Sequence, residues 1–190
     1  LKYLCDITTG NKDTVNAINT GKYPFFVRSQ TIERIDDYTF DCEAVLTAGD
    51  GAGVGKIYHH YCGKFGCHQR VYALINFKHV KARYIFYYLF ANFSKVALDG
   101  NSKSTVDSLR LPQFQNFEIS LPEILKQKKI IQFLDYETAK IDLLIEKAEA
   151  QIALMQERRT ELISAAVTGK IDLRHWQMPE ASDHQGGDNE

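Results

Sequence analysis

Between Pro122 and Gly169 the chain runs without a single proline or glycine. Within that run, Ile131, Thr138, Ile145, Ile152, Arg159 and Ala166 fall every seventh residue, and Leu134, Ile141, Ala148, Met155 and Leu162 fall three after each of the first five. This is an a/d seam with mostly β-branched residues at a and Leu-like residues at d, sustained for about five heptads. Ala, Leu, Glu, Lys and Gln, all good helix formers, fill the other positions. The pattern predicts one helix from Ile124 to Val167, stopped by a left-handed Gly169. From Ile131 to Ala166 it spans roughly 50 Å at about 1.5 Å per residue. Ile130, Leu144 and Ile163 widen the seam. A rod of this length needs a partner surface, either its own domain or a second helix outside this chain. Thr138 and Arg159 interrupt the apolar seam, and a polar residue at a can fix register and partner at some cost in stability.

The 190 residues suffice for one core domain plus the rod, and 44% hydrophobic with 25% charged residues is ordinary for a globular chain. The longest nearly apolar run, Tyr84 to Phe93, is too short to cross a bilayer, and no basic-then-apolar leader opens the sequence. A soluble, cytoplasmic protein is expected, with reduced thiols at Cys5, Cys42, Cys62 and Cys67. The sequence opens at Leu1 rather than Met, which leaves an upstream start open. Net charge is -1, against a protein that coats nucleic acid indiscriminately. Residues 1–123 hold 14 Lys or Arg against 12 Asp or Glu, and residues 124–190 hold 9 against 12, a mildly basic head on an acidic rod.

The head reads as a mixed α+β domain, a twisted sheet with helices, followed by the one long coiled-coil helix. Leu1 to Thr9 reads as a helical turn and Gly10 to Gly21 as a polar loop. Strands are expected at Tyr23 to Arg28 and Ala44 to Thr47. Lys56 to His60 and Arg70 to Ile75 read as a hairpin joined by Tyr61 to His68. Val80 to Phe93 is an aromatic-rich helix whose ordinary role is to pack on the sheet. Asp99 to Ser108 is polar and exposed, Leu109 to Leu121 reads as a last strand, and Pro122 closes the head.

Gly49-Asp50-Gly51-Ala52-Gly53-Val54-Gly55 carries four glycines in seven residues. It lacks the Walker pattern: Asp50 stands five residues before Gly55, and Ile57 follows Lys56 where Ser or Thr belongs. Strand-like residues follow it, which excludes a dinucleotide fingerprint. Two readings remain, a plain hairpin turn or a low-profile loop whose open amides meet a large ligand such as a DNA groove. His59, His60, Cys62, Cys67 and His68 hold metal-ligand types, but the Cys-x4-Cys spacing has no second knuckle. The cysteines read as small hydrophobes and the histidines as surface groups; no metal or cofactor is expected. No Gly-x-Ser-x-Gly elbow, no Asn/Asp-Pro-Pro-aromatic motif and no nuclease Pro-Asp…Glu-x-Lys pattern occurs. No pair of carboxylates stands out for acid/base work. Binding, with catalysis supplied elsewhere, is the reading.

Leu121-Pro122-Glu123, Gln127-Lys128-Lys129-Ile130-Ile131-Gln132-Phe133-Leu134-Asp135 and Thr138-Ala139-Lys140-Ile141-Asp142 strongly resemble the conserved region of specificity subunits of type I restriction–modification systems. So does the block from Glu157 to Asp172, through Ser164-Ala165-Ala166-Val167-Thr168-Gly169-Lys170. In the head, Thr9-Gly10-Asn11, Tyr23-Pro24-Phe25, Gly49-Asp50-Gly51, Gly53-x-Gly55-Lys56 and the Gly100–Thr105 tract stand in the order of a target-recognition domain of that family. The usual Pro-Pro and Glu-Gln appear here as Leu121-Pro122-Glu123 and Lys126-Gln127.

The resemblance implies a target-recognition domain over 1–122 and a spacer and dimerisation helix over 123–168; the residues that follow read as a docking tail over 169–176, with Ile171, Leu173 and Trp176, and a polar, disordered tail over 177–190. The head would read one half of a bipartite sequence in double-stranded DNA. The rod would pair with a second copy of the chain or the second half of a longer subunit. The subunit would itself be non-catalytic, recruiting S-adenosylmethionine-dependent adenine-methyltransferase subunits and a restriction–translocase subunit. Two heads about a two-fold axis would read half-sites separated by roughly one or more turns of about 34–36 Å. By side-chain type and loop position, the DNA-contacting candidates are Asn11, Lys12, Arg28, Ser29, Gln30 and Lys56, then His68, Gln69, Arg70, Lys103, Ser104 and Thr105. The competing readings are a coiled-coil adaptor whose head binds protein, separable by the salt dependence of DNA binding, and a zinc enzyme built on His59–His68, separable by metal analysis.

Overall fold

The structure, a computed structural model, describes residues 1–98 and 108–178. Six strands form one sheet: β1 (Asp6–Thr9), β2 (Tyr23–Phe26), β3 (Glu33–Ile35), β4 (Phe40–Ala48), β5 (Tyr58–Cys67) and β6 (Val71–Ile75). Their spatial order is β1-β6-β4-β5-β2-β3. Pairing is antiparallel throughout except between β2 and β5, which run parallel with Phe25 opposite Gly66. The helices are α1 (Ala82–Leu98), α2 (Leu111–Gln115) and α3 (Ile124–Val167). The expected α+β class and the long terminal helix are both present.

The centre is β4, whose Ala44-Val45-Leu46-Thr47-Ala48 is buried on both faces. That explains its continuous apolar reading, since a strand covered on both sides needs no alternation. On one side, Val45, Tyr58 and Leu74 meet Ile85, Leu89 and Phe93 of α1 in the main core. Those three α1 residues recur every fourth position, so one stripe of the helix faces the sheet. The aromatic helix is thus core packing, as its composition suggests. On the other side, Phe26, Ala44, Leu46, Phe65, Cys67, Val71 and Ala73 pack together. Each fully buried Phe contributes about 1.5–3 kcal/mol relative to exposure.

Four local expectations are corrected. Asp6–Thr9 is an edge strand on β6 rather than a helical turn; the β-branched run Ile7-Thr8-Thr9 favours the pleat. Tyr61 to His68 is mostly strand: β5 continues through Cys67. Gly66 marks close approach rather than a turn, for a Cβ there would sit 2.8 Å from Ile35 and 3.1 Å from the Phe25 ring, while Gly63 is used for its φ of +123°. Accordingly β5 and β6 do not form a hairpin with each other; β4 lies between them and pairs with both. Leu109 to Leu121 is no strand. Pro112 starts the short helix α2, and the Leu109 N–H and carbonyl are satisfied singly, by Gly49 and the Tyr72 hydroxyl.

The chain divides into two compact units, Leu1–Asp135 and a second that begins at Tyr136. The first unit takes in the opening turns of α3, where Gln127 is fully buried and Ile130 and Ile131 pack on the main core. In the second, Ile141, Ile145, Ile152, Met155 and Leu162 are each more than half exposed. Ala148 and Arg159 are exposed as well. Gly169 adopts φ +73°, the left-handed stop that its position after the helix predicts.

Candidate nucleic-acid interface

Backbone hydrogen bonds gather five chain segments at one rim of the sheet. The His68 N–H donates to the Phe26 carbonyl at 3.0 Å, setting residues 27–30 beside 68–70. The Gln69 N–H donates to the Lys12 carbonyl at 2.8 Å, which adds residues 10–13. The Gly49 N–H donates to Arg70 and the Leu109 N–H to Gly49, each at 2.9 Å, adding the glycine loop and Ser108–Leu109. The loop itself is one 3-10 turn, Gly51–Gly53, within the β4–β5 connection. Gly55 (φ +70°) lies so close to Ser94 of α1 that a Cβ would meet its Cα at 3.1 Å.

The Asp50 carboxylate sits at the centre of this rim. It accepts from Arg28 Nη1 at 2.9 Å and from Arg70 Nη1 at 2.6 Å. Its own side chain is 16% exposed, against 40% for Arg28 and 60% for Arg70, so an inner carboxylate orients two outer guanidiniums. Burial alone would raise the Asp50 carboxyl, but the hydrogen bonds from Arg70 and Arg28 outweigh it and hold the group below the usual carboxylate value. On either side of Asp50 lies a hollow. One of about 320 Å³ is bounded by Arg28, Ser29, Glu33 and the 3-10 turn. The other, of about 240 Å³, is bounded by Thr9, Gln69, Arg70, Tyr72 and Ser108.

The other candidates around the rim are held in the same manner. Lys12 Nζ donates to Asp37 at 2.6 Å, and that bond keeps the Asp37 carboxyl below its usual value. Gln69 Nε2 donates to Asp13 at 2.7 Å. Asn11 Oδ1 accepts from the Thr39 hydroxyl at 3.1 Å. The Ser29 hydroxyl accepts from the Thr31 N–H at 3.0 Å and its carbonyl from His59 Nε2, also at 3.0 Å. Gln30 is exposed, as is Lys56 at the far end of the β4–β5 connection. Lys103, Ser104 and Thr105 lie outside the described residues.

Two expectations about exposure fail here. His68 is 2% exposed, and its Nδ1 accepts from the Arg70 N–H at 3.0 Å, which places the ring proton on Nε2. Burial first, and Arg28 after it, lower its pKa and favour the neutral ring. His68 therefore shapes the turn that carries Arg70. His59 is also buried rather than on the surface, while Cys62 is exposed rather than a core hydrophobe. Burial pushes the Cys67 thiol up to about 12. Among the described residues, no three His, Cys, Asp or Glu side chains come together in a way that could hold a metal ion.

The orienting carboxylates are what the residue-type reading missed. Asp50 was visible only as an edge of the glycine loop, whereas Asp13 and Asp37 gave no signal, since they act on side chains 56 and 25 positions away. At the rim, Lys12, Arg28 and Arg70 face Asp13, Asp37 and Asp50. Among the described residues, the result is a set of side-chain donors held in place by carboxylates. Among the described residues no helix is long and apolar enough to cross a membrane.

A six-stranded mixed sheet with a helix on one face and a long heptad-patterned helix at its end is the fold of type I restriction–modification S subunits. The S subunit of M. genitalium matches with a TM-score of 0.62 and 18% identity, over 86% of this chain and 44% of that one. A chain from a structure concerning complex assembly and conformational transition of the type I R-M system matches with a TM-score of 0.64 and 19% identity, over 86% and 43%. The chain belongs to the family of the type I restriction modification DNA specificity domain, whose family model matches residues 1–154. It is 28% identical over 174 residues to the type I restriction enzyme EcoDI specificity subunit of Escherichia coli, covering 92% of this chain and 38% of that protein. The matches thus cover less than half the length of these relatives.

Proposed function

We propose that the head reads one half of a bipartite DNA target and that α3 pairs with a second conserved helix, setting the distance to the other half-site. The partner helix belongs to a second copy of this chain or to the remainder of a longer subunit. The subunit brings DNA to adenine-methyltransferase subunits that carry S-adenosylmethionine, and a restriction–translocase subunit joins them. In this reading the head is residues 1–122, the spacer 123–168 and the docking tail 169–176.

The observation that carries the reading is the convergence of five loop segments on the Asp50-centred pair Arg28 and Arg70, in a chain of this family. Each arginine spends Nη1 on Asp50 and thereby keeps a fixed attitude. A guanidinium so held is preorganised to donate two bonds to guanine O6 and N7, while Gln69 and Asn11 match the adenine edge. Ser29, Gln30, Lys12 and Lys56 suit sugar–phosphate contacts that set register, as do Lys103, Ser104 and Thr105 by type. His68 supports from behind.

The test is methylome mapping. The complete subunit that carries this chain is co-expressed with its methyltransferase, and host DNA is sequenced for methylated adenine. A bipartite motif supports the reading; a palindromic one assigns a second copy as partner, and an asymmetric one assigns a longer subunit. In the same assay Arg70→Ala costs about 1–3 kcal/mol and relaxes one target position. An intact complex that adds no methylation overturns the reading in favour of a head that binds protein.

A further inference from the structure

Helix α3 has one buried residue among those described, and it is polar. Gln127 is fully buried. Both ends of its amide are used: Oε1 accepts from the Lys81 N–H at 2.9 Å, and Nε2 donates to the Pro122 carbonyl at 2.8 Å. The first bond serves an amide at the start of α1, and the second ties down the chain that enters α3. Eight residues on, Asp135 accepts from Arg83 Nε at 2.9 Å and from the Tyr87 hydroxyl at 2.7 Å, and Arg83 and Tyr87 stand one turn apart on α1. Between the two grips, Ile130 and Ile131 pack on the main core. The Tyr84 hydroxyl donates to the Ser120 carbonyl at 2.7 Å and fixes the approach to Pro122.

These contacts hold α1 at two points along α3, about 12 Å apart at 1.5 Å per residue. One point alone would let the root of α3 turn on the core, whereas two hold that root against α1 within the first unit. Neither grip lies at the rim that faces DNA, and neither is needed to fill the seam. A buried amide with both ends satisfied, and a half-exposed ion pair beyond it, add little net stability but disfavour alternative packings.

The geometry points to Gln127 and Asp135, with Arg83 and Tyr87, as positioning residues that set how strictly the subunit measures the spacing between half-sites. This rests on the reading of α3 as the spacer. The lever is long. Over roughly 50 Å of helix, a swing of about 4° at the root moves the far end by about 3.4 Å, the rise of one base pair. A head locked to the root of α3 cannot follow a half-site moved by one base pair, which is also turned by roughly 35°. A loosened head can.

The experiment compares methylation rates by the assembled subunit–methyltransferase complex on DNA with both half-sites at native spacing and at one base pair more or less. Wild type, Asp135→Asn with Tyr87→Phe, and Tyr87→Phe alone are compared. Amide exchange of the Lys81 N–H and of the first turns of α3 is followed in each. In wild type the altered spacing is expected to cost about 100-fold, the scale of a misplacement near 1 Å or more at a reacting group. In the double variant, exchange at the α3 root rises, the rate at native spacing stays within about twofold, and the spacing penalty falls at least about fivefold. Tyr87→Phe keeps the ion pair, so it gives a smaller change in the same direction and carries the test if the double variant does not fold. An unchanged penalty with raised exchange overturns the proposal, as does a parallel loss of rate at every spacing. Unchanged exchange overturns the grip itself. A wild-type complex indifferent to spacing defeats the spacer reading instead, and is recognised because no substitution is involved.

Discussion

Replacing Gln127 by Met isolates what a buried amide does at the head of a long helix. Met is close to Gln in length and flexibility, so the cavity stays filled. What is lost is the acceptor for the Lys81 N–H and the donor to the Pro122 carbonyl. Leaving a desolvated backbone group unpaired costs about 1–3 kcal/mol; with Lys81 itself exposed and Pro122 half-buried, the two together cost roughly 2–4. The variant recovers part of that because a thioether is cheaper to bury than an amide, by about 1–2 kcal/mol. The expected loss is about 1–2 kcal/mol, a measurable share of the 5–15 kcal/mol typical of a domain. Urea unfolding followed by far-UV circular dichroism should show a lower midpoint with an unchanged slope. Exchange of the Lys81 amide should quicken by more than that of any amide in β4. A loss below about 1 kcal/mol would refute the reasoning, because it would mean that water reaches both groups and that the amide is not a lock.

Three further outcomes follow from the site and the helix. Asp50→Asn removes the charge that holds Arg28 and Arg70, so non-specific DNA affinity should rise. Its salt dependence should steepen by about one unit of slope as one more cation becomes free for phosphate, while discrimination between target and random DNA falls. Titrations at several salt concentrations check all three. The Asp50 and Asp135 carboxyls are both held below their ordinary value, with burial opposed and outweighed by hydrogen bonds from Arg70 and Arg28 on one, Tyr87 and Arg83 on the other. For groups with lowered folded-state values, the stabilisation is complete above the unfolded pKa of about 3.9 and is lost as pH falls through the lower folded value. Stability of the head should therefore drop below about pH 4, less steeply in Asp135→Asn than in wild type, as acid titration by circular dichroism will show. Ile152→Asp puts a charge on an exposed a position of the seam. It should abolish amide protection beyond Tyr136 in the paired subunit while moving the stability of the head by no more than about 0.5 kcal/mol.

Helix α3 was legible almost to the residue because all its signals are local: a heptad repeat, Pro122 before it and Gly169 after it. The aromatic stripe of α1 was legible for the same reason. β5 was not. Its glycines argue for a turn when read alone, and only the Phe25 ring and Ile35, brought alongside by strand pairing, explain why Gly66 belongs in a strand. Sheet order escaped the sequence for a like cause: placing β4 between β5 and β6 depends on pairings between segments far apart in the chain. The site divides along the same line. Arg28, Gln69 and Arg70 could be named from type and loop position, but nothing near them announces Asp50 or Asp13 as their partners. Gln127 stood inside the most recognisable motif of the chain, yet its role depends on Lys81, 46 positions away.

On the proposed reading, the carboxylates at the rim bear on how DNA can be read without a strongly basic charge. A surface that binds mainly through free Lys and Arg gains affinity from counterion release at every phosphate, whatever the sequence. At this rim three of the described cations are held by carboxylates: Asp37 holds Lys12, and Asp50 is shared by Arg28 and Arg70. A phosphate offers the two arginines less than it would offer free cations, so non-specific binding gains less from them. A guanine edge offers more, because it meets two N–H donors of an arginine at once and can do so while Nη1 stays on Asp50. The guanidinium arrives in one attitude and loses less freedom on binding. The same carboxylate repels a misplaced phosphate, and repulsion of the wrong partner widens specificity as effectively as attraction to the right one. A net charge of -1 is thus compatible with sequence reading, provided that affinity comes from two heads acting together. If two heads act together as proposed, holding each one on its helix matters as much as the contacts it makes, since a second head adds its binding only where both can engage at one spacing.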